Sequence, residues 1–375
     1  MRYASLLGAL LLVLAATAPA TAARAPAAPA ADAAAQESDC TFPVELTDQS
    51  GTTVTVEESP SRVVTLNPSA AQTMWELGAQ DRVVGVTKFA MNLEGAEEKT
   101  NISSGGETIN NEVVVGLEPD LVLAPNTVDN ETVRSLRDAG LTVYHFDEAK
   151  SIAGIQEKTR IIGALTGECA AAEDTVDWMD AELATVDAAV EGQDRPGMIY
   201  TFFGWTAGNG TFIGALVERA GASNVAAEAG IEGYEELNEE VLVDQDPDWI
   251  LLNSDDDQVP KTAAYNGTTA VQKDQILVVN YNQLNRPAPR VIYPLVAMTK
   301  AMHPEAYAQA NQTESDTATG TETASPTATT APPTGSPDTE TEDGSGTGAS
   351  GPGFTAIGAL VALVCLSLVA ARREA

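Results

Sequence analysis

The stretch ECAAAEDTVDWMDAELATVDAAVE, residues 168–191, predicts one long amphipathic helix. Val176, Met179 and Leu183 recur at spacings of three and four, which places them on one apolar stripe, while acidic residues between them face water. At about 1.5 Å per residue, such a helix would be roughly 36 Å long and would span a whole domain. Glycines stand immediately before and after the stretch, so the helix has defined ends.

The sequences on the two sides of this helix resemble each other. Residues 112–123 read EVVVGLEPDLVL and residues 240–251 read EVLVDQDPDWIL, at a constant offset of 128 positions. Each copy predicts a helix, a Pro-Asp turn and a buried strand, because Pro119 and Pro247 cannot continue a helix. Two copies do not make a solenoid, so they indicate two similar lobes joined by the long helix.

Strands alternate with helices in both lobes. Strands are predicted near residues 63–66, 83–86, 121–123 and 143–146 in the first lobe and near 198–202, 249–252 and 276–279 in the second, with helices at 69–77, 128–139 and 151–165. Alternation of this kind is typical of a mostly parallel sheet. The predicted fold class is α/β, with two similar Rossmann-like lobes joined by a single long helix.

Composition divides the chain into seven segments. They are a signal peptide (1–22), a linker (23–41), an N-terminal lobe (42–150) that begins with a hairpin, a helical connection (151–191), a C-terminal lobe (192–308), a Thr/Ser/Pro/acidic stalk (309–351) and an apolar C-terminal segment (352–375). The signal peptide has Arg2, an apolar run and small residues before its end. The stalk has hardly an apolar residue and cannot bury a core. The run from Thr355 to Ala371 is close to the minimum length of a membrane span.

Charge, sequons and cysteines are typical of an exported protein. The formal net charge of −34 argues against nucleic acid as a partner and indicates a surface adapted to high salt, as in halophilic organisms. Asn-x-Ser/Thr sequons, typical of a glycoprotein, lie at Asn101, Asn130, Asn209, Asn266 and Asn311. Cys40 and Cys169 are the cysteines that precede the apolar tail. Outside the cell they would form a disulfide, and the alternative is two isolated thiols.

The sequence contains no recognisable catalytic or metal-binding motif. Two histidines, His145 and His303, cannot form a three-histidine site, and three cysteines exclude thiolate clusters. The chain has no nucleophile elbow, Walker loop or dinucleotide-binding glycine motif. His145 is expected at a strand edge and His303 at a helix cap. We therefore predict neither an enzyme nor a metal site.

Candidate ligand-binding residues lie in loops after predicted strands, where open α/β sheets bind ligands. They are Asn67, Ser69 and Phe89 in the first lobe and Phe203, Trp205, Asn285, Arg286 and Arg290 in the second. Trp205 follows a glycine in a loop, where it would either stack on a ligand or close a core. Arg286 and Arg290 bracket two prolines that stiffen the loop. They would present two guanidinium groups to an anionic ligand, and the alternative is that one of them only braces the loop.

Four segments resemble one known family. RVVTLNPSAAQTMWELGAQDRVVGVT, LEPDLVLAP, LRDAGLTV and LNRPAPR are, as a set, similar to the periplasmic-binding domain of cobalamin- and ferric-siderophore-binding proteins of ABC importers. The resemblance covers about residues 42–307 and implies limited hinge motion, a ligand cleft between the lobes and no cofactor. It also implies that Glu112 and Glu240, one on each lobe, dock onto arginines of a permease dimer that carries ATPase subunits. Shared ancestry of the lobes is the alternative reason for this pair.

The C-terminal segment is similar to the sorting signal of archaeal surface proteins. Gly351-Pro352-Gly353-Phe354 precedes the apolar run, and Arg372-Arg373 closes it. In such proteins the segment is removed and replaced by a lipid. The resemblance implies a mature protein that is anchored on the extracellular face of the membrane.

Together these features predict the surface-anchored substrate-binding component of an ABC importer for a metal chelate. We place cobalamin first, a ferric siderophore second and haem third, because no axial histidine is obvious in the loops. The aromatic residues available to grip the ligand are Phe89, Phe202, Phe203 and Trp205. A stalked surface interaction protein is the alternative from another functional class.

Overall fold

A computed structural model of the chain describes residues 40–105 and 108–320. The chain divides into two compact units, Met1–Glu322 and Thr323–Ala375, and all of the described residues belong to the first. The predicted signal peptide, nearly all of the linker, most of the stalk and the apolar C-terminal segment lie outside the described residues. None of the helices within the described ranges is long and apolar enough to span a membrane.

The first lobe consists of a hairpin followed by a parallel sheet with helices on both faces. Its elements are β1 (Val44–Thr47), β2 (Thr53–Val56), β3 (Val63–Thr65), α1 (Pro68–Glu76), β4 (Val83–Val86), β5 (Thr100–Asn101), α2 (Asn111–Gly116), β6 (Leu121–Ala124), α3 (Asn130–Asp138) and β7 (Val143–His145). The sheet order is β5-β4-β3-β6-β7, and every neighbouring pair is parallel. Met74 of α1 packs on one face, and Val114 of α2 and Leu136 of α3 pack on the other. Coverage of both faces explains why β3 and β6 are buried along their whole lengths.

Two consecutive helices, α4 (Ile152–Thr166) and α5 (Cys169–Val190), connect the lobes. The long helix predicted at residues 168–191 is α5, and the apolar stripe on it is buried. Ala172, near its start, belongs to the core of the first lobe, whereas Met179, Leu183 and Val186 belong to the core of the second. Because one rigid helix contributes to both cores, the lobes are held in a defined relation.

The second lobe repeats the parallel sheet and adds a small antiparallel pair. Its elements are β8 (Gly197–Tyr200), β9 (Trp205–Ala207), α6 (Phe212–Arg219), β10 (Ser223–Asn224), α7 (Val225–Glu228), β11 (Tyr234–Glu236), α8 (Glu239–Gln245), β12 (Trp249–Asn253), α9 (Ala263–Gly267), α10 (Thr269–Gln272), β13 (Ile276–Val279), α11 (Tyr281–Leu284), α12 (Ile292–Met302) and α13 (Pro304–Gly320). The order β10-β8-β12-β13 is parallel throughout, and β9 pairs with β11. In both lobes the carboxyl ends of the strands share one edge, which is where ligand-binding loops are expected.

The sequence repeat is also a repeat of backbone geometry. Asn110 caps α2 and Asn238 caps α8, each through its side-chain oxygen. Glu118 and Asp246, which precede the two prolines, both have positive φ, 45° and 43°. All of these pairs keep the offset of 128 positions, and β6 and β12 begin at the same offset. The predicted fold class, with two similar α/β lobes, is therefore confirmed.

The N-terminal segment is attached to both the first lobe and the connection. A disulfide joins Cys40 to Cys169, at the first turn of α5. The turn of the predicted hairpin reaches β7: the carboxylate of Asp48 binds Arg137 and accepts a hydrogen bond from the N–H of His145 at 3.1 Å. The hairpin thus lies beside β7 and covers that edge of the sheet.

The helix α13 extends beyond the boundary predicted for the second lobe. Residue 309 was predicted to begin the stalk, but the helix continues to Gly320. Tyr307 on α13 packs into the second-lobe core, and its hydroxyl donates to a Glu182 carboxylate oxygen on α5 at 3.3 Å. Packing against α5 thus extends ordered structure into a segment whose composition alone indicated a stalk.

Candidate ligand-binding cleft

A cavity of about 510 Å³ lies between the two lobes. Its first-lobe wall comes mainly from the loops after β3, β4 and β6, and its second-lobe wall comes from α11 and the residues that follow it. A volume of this size is within the range of small-molecule sites. The carboxyl edges of the two sheets therefore enclose a ligand-sized space.

The first-lobe wall presents neutral hydrogen-bonding groups. Asn67 and Thr87 follow β3 and β4, and Thr127 and Thr132 lie after β6. The side chain of Asn67 accepts a hydrogen bond from the N–H of Ser69 at 2.7 Å, which caps α1, and its Nδ2 donates to Thr127 Oγ1 at 2.8 Å. These bonds hold two of the loops together, so this wall is formed before any ligand arrives.

Asp129 is the carboxylate among the described residues that line this cavity. It caps α3 by accepting hydrogen bonds from the N–H of Thr132 at 2.7 Å and from Thr132 Oγ1 at 2.8 Å. These bonds hold the pKa of Asp129 below its ordinary value. The carboxylate is therefore ionised at neutral pH, and it makes this part of the wall unfavourable for an anion.

The second-lobe wall is organised around Tyr281. Its N–H donates to Ser254 Oγ at 3.0 Å, and its ring stacks on Phe202 with centroids 5.6 Å apart. In the core of the same lobe, the hydroxyl of Tyr200 accepts a hydrogen bond from Asn253 Nδ2 at 2.9 Å. Burial raises the pKa of Tyr200 to about 12, so this hydroxyl stays neutral. Both tyrosines are fixed by polar groups at the carboxyl end of β12.

Arg286 lines the cavity and also connects the lobes. Its guanidinium donates to the carbonyl oxygen of Phe89 at 2.5 Å, to Asn92 Oδ1 at 2.9 Å and to Asn282 Oδ1. The residue is only 6% exposed, and burial lowers its pKa to about 10. Each of these acceptors is neutral, so the positive charge has no counter-charge among them.

Arg290 and Ser69 lie behind the cavity wall rather than in it. Arg290 forms an ion pair with Glu76 of α1 at 2.5 Å. The hydroxyl of Ser69 is buried and accepts a hydrogen bond from Lys158 Nζ at 3.3 Å. Of the two roles considered for Arg290, the structure shows the bracing one. Its partner lies on the other lobe, so it braces the lobes as well as its own loop.

An exposed aromatic rim adjoins the second-lobe wall. Phe203 is 65% exposed and Trp205 is 51% exposed, whereas Phe89, across the cleft on the first lobe, is 40% exposed. The ring of Phe203 lies 4.5 Å from that of Phe202, which in turn stacks on Tyr281. Trp205 therefore does not close a core, and aromatic surface extends outward from the cavity.

The turn that carries this rim has an unfavourable backbone. Phe203 and Gly204 have φ of 47° and 81°, and Phe202 and Trp205 exchange hydrogen bonds of 2.9 Å across the turn. Tight hairpin turns with two positive φ values normally place Asn or Asp, then Gly, at these positions. A bulky residue at the first position is strained. The N–H of Phe203 donates to the Asp256 carboxylate at 2.5 Å, which helps to hold it there.

The structure thus places the predicted site residues at three different depths. Asn67, Phe89, Asn285 and Arg286 line the cavity, Phe203 and Trp205 form its exposed rim, and Ser69 and Arg290 lie behind it. Sequence reasoning missed Tyr281 and the threonines of the first-lobe wall. Tyr281 follows β13 at the carboxyl edge of the sheet, so its position after a strand was an available signal.

The predicted docking glutamates occupy equivalent, exposed positions. Glu112 is the second residue of α2 and Glu240 is the second residue of α8. Three residues after each glutamate stands an exposed valine, Val115 at 36% and Val243 at 66%. Residues three apart share a helix face, so each lobe presents the same pair of side chains, one acidic and one apolar.

Residues 63–280 match the family model described as "Periplasmic binding protein". That match covers more than half of the chain. The chain belongs to the periplasmic binding protein family. Its α/β lobes, the bridging helix and the cleft between the lobes are accordingly family features.

Individual proteins resemble the chain in sequence or in fold. A cobalamin-binding protein of Halobacterium salinarum is 44% identical over 315 residues, covering 80% of this chain and 85% of that protein. The apo form of the periplasmic haem-binding protein RhuT from Roseiflexus sp. RS-1 superposes with a TM-score of 0.59 at 24% identity, covering 66% of this chain and 99% of that one. The haem-binding protein HmuT gives a TM-score of 0.60, also at 24% identity, covering 70% and 91%. At these identities the two solved structures show the fold alone.

Membership of the periplasmic binding protein family settles the broad class of function. The chain is a substrate-binding protein of the kind that serves ABC importers, and it takes a small-molecule ligand. The expectation that it is not an enzyme is confirmed, because the proteins it resembles are solute-binding proteins. Function outside the cytoplasm agrees with the predicted export.

Proposed function

We propose that this periplasmic binding protein captures cobalamin, or a closely related corrinoid, at the cell surface and delivers it to an ABC permease. The observation that carries the proposal is the chemistry of the cavity wall. It combines neutral donors and acceptors, among them Asn67, Thr127, Thr132 and Asn285, with Arg286, the one cation in the described part of the lining. A corrin ring carries acetamide and propionamide side chains, and neutral amides and hydroxyls pair with such groups. The 44% identity to a protein named for cobalamin supports the same ligand.

The exposed aromatic rim complements this cavity. A cavity of about 510 Å³ is too small for a whole cobalamin, so part of the ligand would lie outside it. Phe89 on one lobe and Phe203 and Trp205 on the other offer apolar surface for the faces of a large ring. A small cavity lined by both polar and apolar groups, next to an aromatic rim, therefore suits a macrocycle that carries polar substituents.

Haem is the second candidate, favoured by the position of Tyr281. A phenol in the cavity lining could ligate iron, as an axial tyrosine does in some haem proteins. The two propionates of haem are best bound by cations, however, and the described lining offers one. Both histidines are engaged elsewhere: His145 Nε2 lies 3.1 Å from the carbonyl oxygen of Val128, and His303 Nε2 lies 3.2 Å from that of Gly221.

A titration of the purified protein tests the proposal. Cobalamin, haemin and a ferric hydroxamate would be added separately at micromolar protein and high salt, and binding would be followed by calorimetry and by quenching of tryptophan fluorescence. We expect saturable binding of cobalamin at a stoichiometry of about one and no comparable binding of the other two. Tight binding of haemin or of the ferric hydroxamate, with no signal from cobalamin, would refute the cobalamin assignment.

Delivery to the permease rests on the duplicated Glu-Val pairs. In a parallel α/β sheet the helices run antiparallel to the strands, so the first turns of α2 and α8 lie at the carboxyl edges, where the cleft also opens. Glu112 is close in sequence to Ile109, which lines the cavity. A partner that contacts Glu112 and Glu240 together would therefore cover the mouth of the cleft. A permease dimer presents two equivalent halves, as two equivalent sites require.

Surface anchoring rests on the sequence alone, since the relevant residues lie outside the described ranges. The Gly-Pro-Gly-Phe motif, the short apolar run and the terminal arginines support removal of the segment and attachment of a lipid. We expect the mature protein, analysed by mass spectrometry from its own cells, to end before Thr355 and to carry a lipid. Recovery of peptides from Leu360 to Arg373 in the mature surface protein would instead show that the segment is retained.

A further inference from the structure

Arg286 bonds to no carboxylate, which distinguishes it from five other arginines of the chain. Arg82, Arg137, Arg160, Arg219 and Arg290 each pair with a carboxylate. Arg286 is the most buried arginine in the described part of the chain, yet its bonding partners are two amide oxygens and one carbonyl oxygen. Carboxylates are abundant in a chain with a formal net charge of −34, yet Asp255, whose charge raises the pKa of Arg286, acts from nearby without bonding to it.

A buried cation that bonds to no carboxylate is costly unless something compensates its charge. Transfer of a charged group from water into a protein interior is unfavourable without an opposite charge and satisfied hydrogen bonds. A guanidinium has five N–H groups, and three hydrogen bonds are assigned to Arg286. Donor capacity therefore remains on a side chain that lines the cavity.

We infer that Arg286 binds the phosphodiester of the ligand's nucleotide loop and thereby distinguishes a complete cobalamin from a corrinoid that lacks this loop. The inference rests on the proposed function and deepens it. The side chains of the corrin ring are neutral amides, and the nucleotide loop of cobalamin contributes the one phosphodiester. One anionic group on the ligand thus matches the one cation among the described lining residues, and Arg–phosphate contacts are among the stronger charge-assisted hydrogen bonds.

The other groups around the cavity also favour placing the phosphodiester beside Arg286. The ionised Asp129 lies on the first-lobe side, so a phosphodiester is disfavoured there and favoured beside Arg286 on the second-lobe side. A whole cobalamin is too large for the cavity, so one face of the corrin ring would lie against the exposed rim of Phe203 and Trp205. The nucleotide loop, which projects from the ring, then enters the cavity together with the amide side chains on that side of the ring.

A purely structural role for Arg286 makes a different prediction. Its bonds to Phe89 and Asn92 join the two lobes, so loss of the guanidinium could misplace the first-lobe wall. Misplacement would weaken all corrinoids alike. Recognition of the phosphodiester would weaken only ligands that carry it. The ratio of the affinities for a corrinoid with the phosphodiester and for one without it therefore separates these roles, whereas a single affinity does not.

The test compares cobalamin with cobinamide, which lacks the nucleotide loop, by calorimetry on the purified protein. We expect the wild type to bind cobalamin more tightly, by about ten- to hundredfold, as for a hydrogen bond to a charged group. Arg286→Met should remove most of this preference while changing cobinamide affinity little. Arg286→Lys should restore part of it, because it keeps the charge. Arg195→Met removes an arginine that bonds to the carbonyl oxygens of Glu218 and Ala222, and it should keep the wild-type ratio.

Two results would overturn this inference. Equal affinity of the wild type for cobalamin and cobinamide would do so without any variant, and the proposed function would stand. An equal fall in both affinities in Arg286→Met, with the ratio preserved, would show that Arg286 is only a brace between the lobes. If neither corrinoid binds the wild type, the proposed function itself fails, and this inference fails with it.

Discussion

Trp205 has the properties of a ligand-stacking residue. It is half exposed on the rim of the cleft, so its ring is not required to fill a core. Stacking on an aromatic ring contributes about 0.5–1.5 kcal/mol beyond area burial. We expect Trp205→Ala to weaken cobalamin binding by about two- to tenfold, measured by calorimetry. Trp178→Phe, on α5 and beside Tyr293, should bind normally, and equal losses in the two variants would exclude a stacking role.

Phe203 is strained in its turn, which indicates selection for something other than stability. The left-handed conformation costs an ordinary residue roughly 1–2 kcal/mol, and Asn tolerates it better. We expect Phe203→Asn to raise the free energy of unfolding by up to about 1 kcal/mol, measured by denaturant, and to weaken cobalamin binding. Phe203→Ala keeps the strained backbone and removes the ring, so it should weaken binding without that gain. Unchanged cobalamin affinity in Phe203→Asn would show that the strained Phe203 is not required for ligand binding.

The two arginines of the NRPAPR segment show what sequence reasoning cannot reach at the scale of residues. Arg286 and Arg290 look alike in sequence, and both were candidates to bind an anionic ligand, with bracing of the loop by one of them as the alternative. Only Arg286 lines the cavity, because Glu76, 214 positions away from Arg290, takes the other guanidinium in an ion pair. Local patterns placed both residues near the cleft, but the partner of each depends on how distant helices pack.

At the scale of elements, Lys158 of α4 fixes the segment that carries Arg286. Its Nζ donates to the carbonyl oxygen of Pro287 at 2.6 Å and to Ser69 Oγ at 3.3 Å, so it joins α4, α1 and the second-lobe wall. The side chain is 5% exposed. Burial lowers the pKa of Lys158 from 10.5 to about 8. A nearby bond, from Gln72 Nε2 to the carbonyl oxygen of Asn282 at 3.0 Å, holds the same segment.

This lowered pKa gives a prediction for the pH dependence of stability. Between pH 8 and 10.5 the unfolded chain binds the Lys158 proton more tightly than the folded protein, so this group makes the folded protein more stable as pH rises through that window. The total gain is about 3 kcal/mol, and below pH 8 the contribution is constant. In Lys158→Met the gain should be absent. Denaturant unfolding of both proteins from pH 7 to 10.5 checks this, and parallel stability curves would contradict it.

The elements themselves were largely predictable from the sequence. The strand at Ile276–Val279, the hairpin at the start of the first lobe and the long helix all follow from periodicity, turn residues and bounding glycines. The pair β9-β11 was missed, because both strands are only three residues long and lie far apart in sequence, and Tyr234–Glu236 is exposed and mostly acidic. The end of α13 was also missed, since its helical state depends on packing against α5 rather than on composition.

At the scale of the whole molecule, the repeat gives two copies of one surface on a single rigid frame. The long helix α5 contributes to both cores, and the disulfide fixes its first turn to the N-terminal segment. A cation–carboxylate pair and several hydrogen bonds cross directly between the lobes. Glu112 and Glu240 are therefore held at a fixed separation. Shared ancestry of the lobes explains why the two positions are equivalent, but it does not by itself explain why both carry an exposed acidic residue.

Two equivalent contacts on one rigid body bind more tightly than either alone, provided that the partner has matching spacing. We therefore expect Glu112→Lys with Glu240→Lys to abolish cobalamin uptake by cells while leaving ligand affinity and unfolding free energy nearly unchanged. Each single reversal should lower uptake by an intermediate amount.

Asp138→Lys with Asp177→Lys changes the net charge equally on exposed positions outside α2 and α8, so this control variant should transport cobalamin normally. The docking proposal fails if the Glu112/Glu240 double variant supports wild-type uptake, or if its ligand affinity falls in step with transport. A simple effect of the two glutamates on their own helices, worth about 0.3–1 kcal/mol each, would instead appear as lost stability with uptake retained.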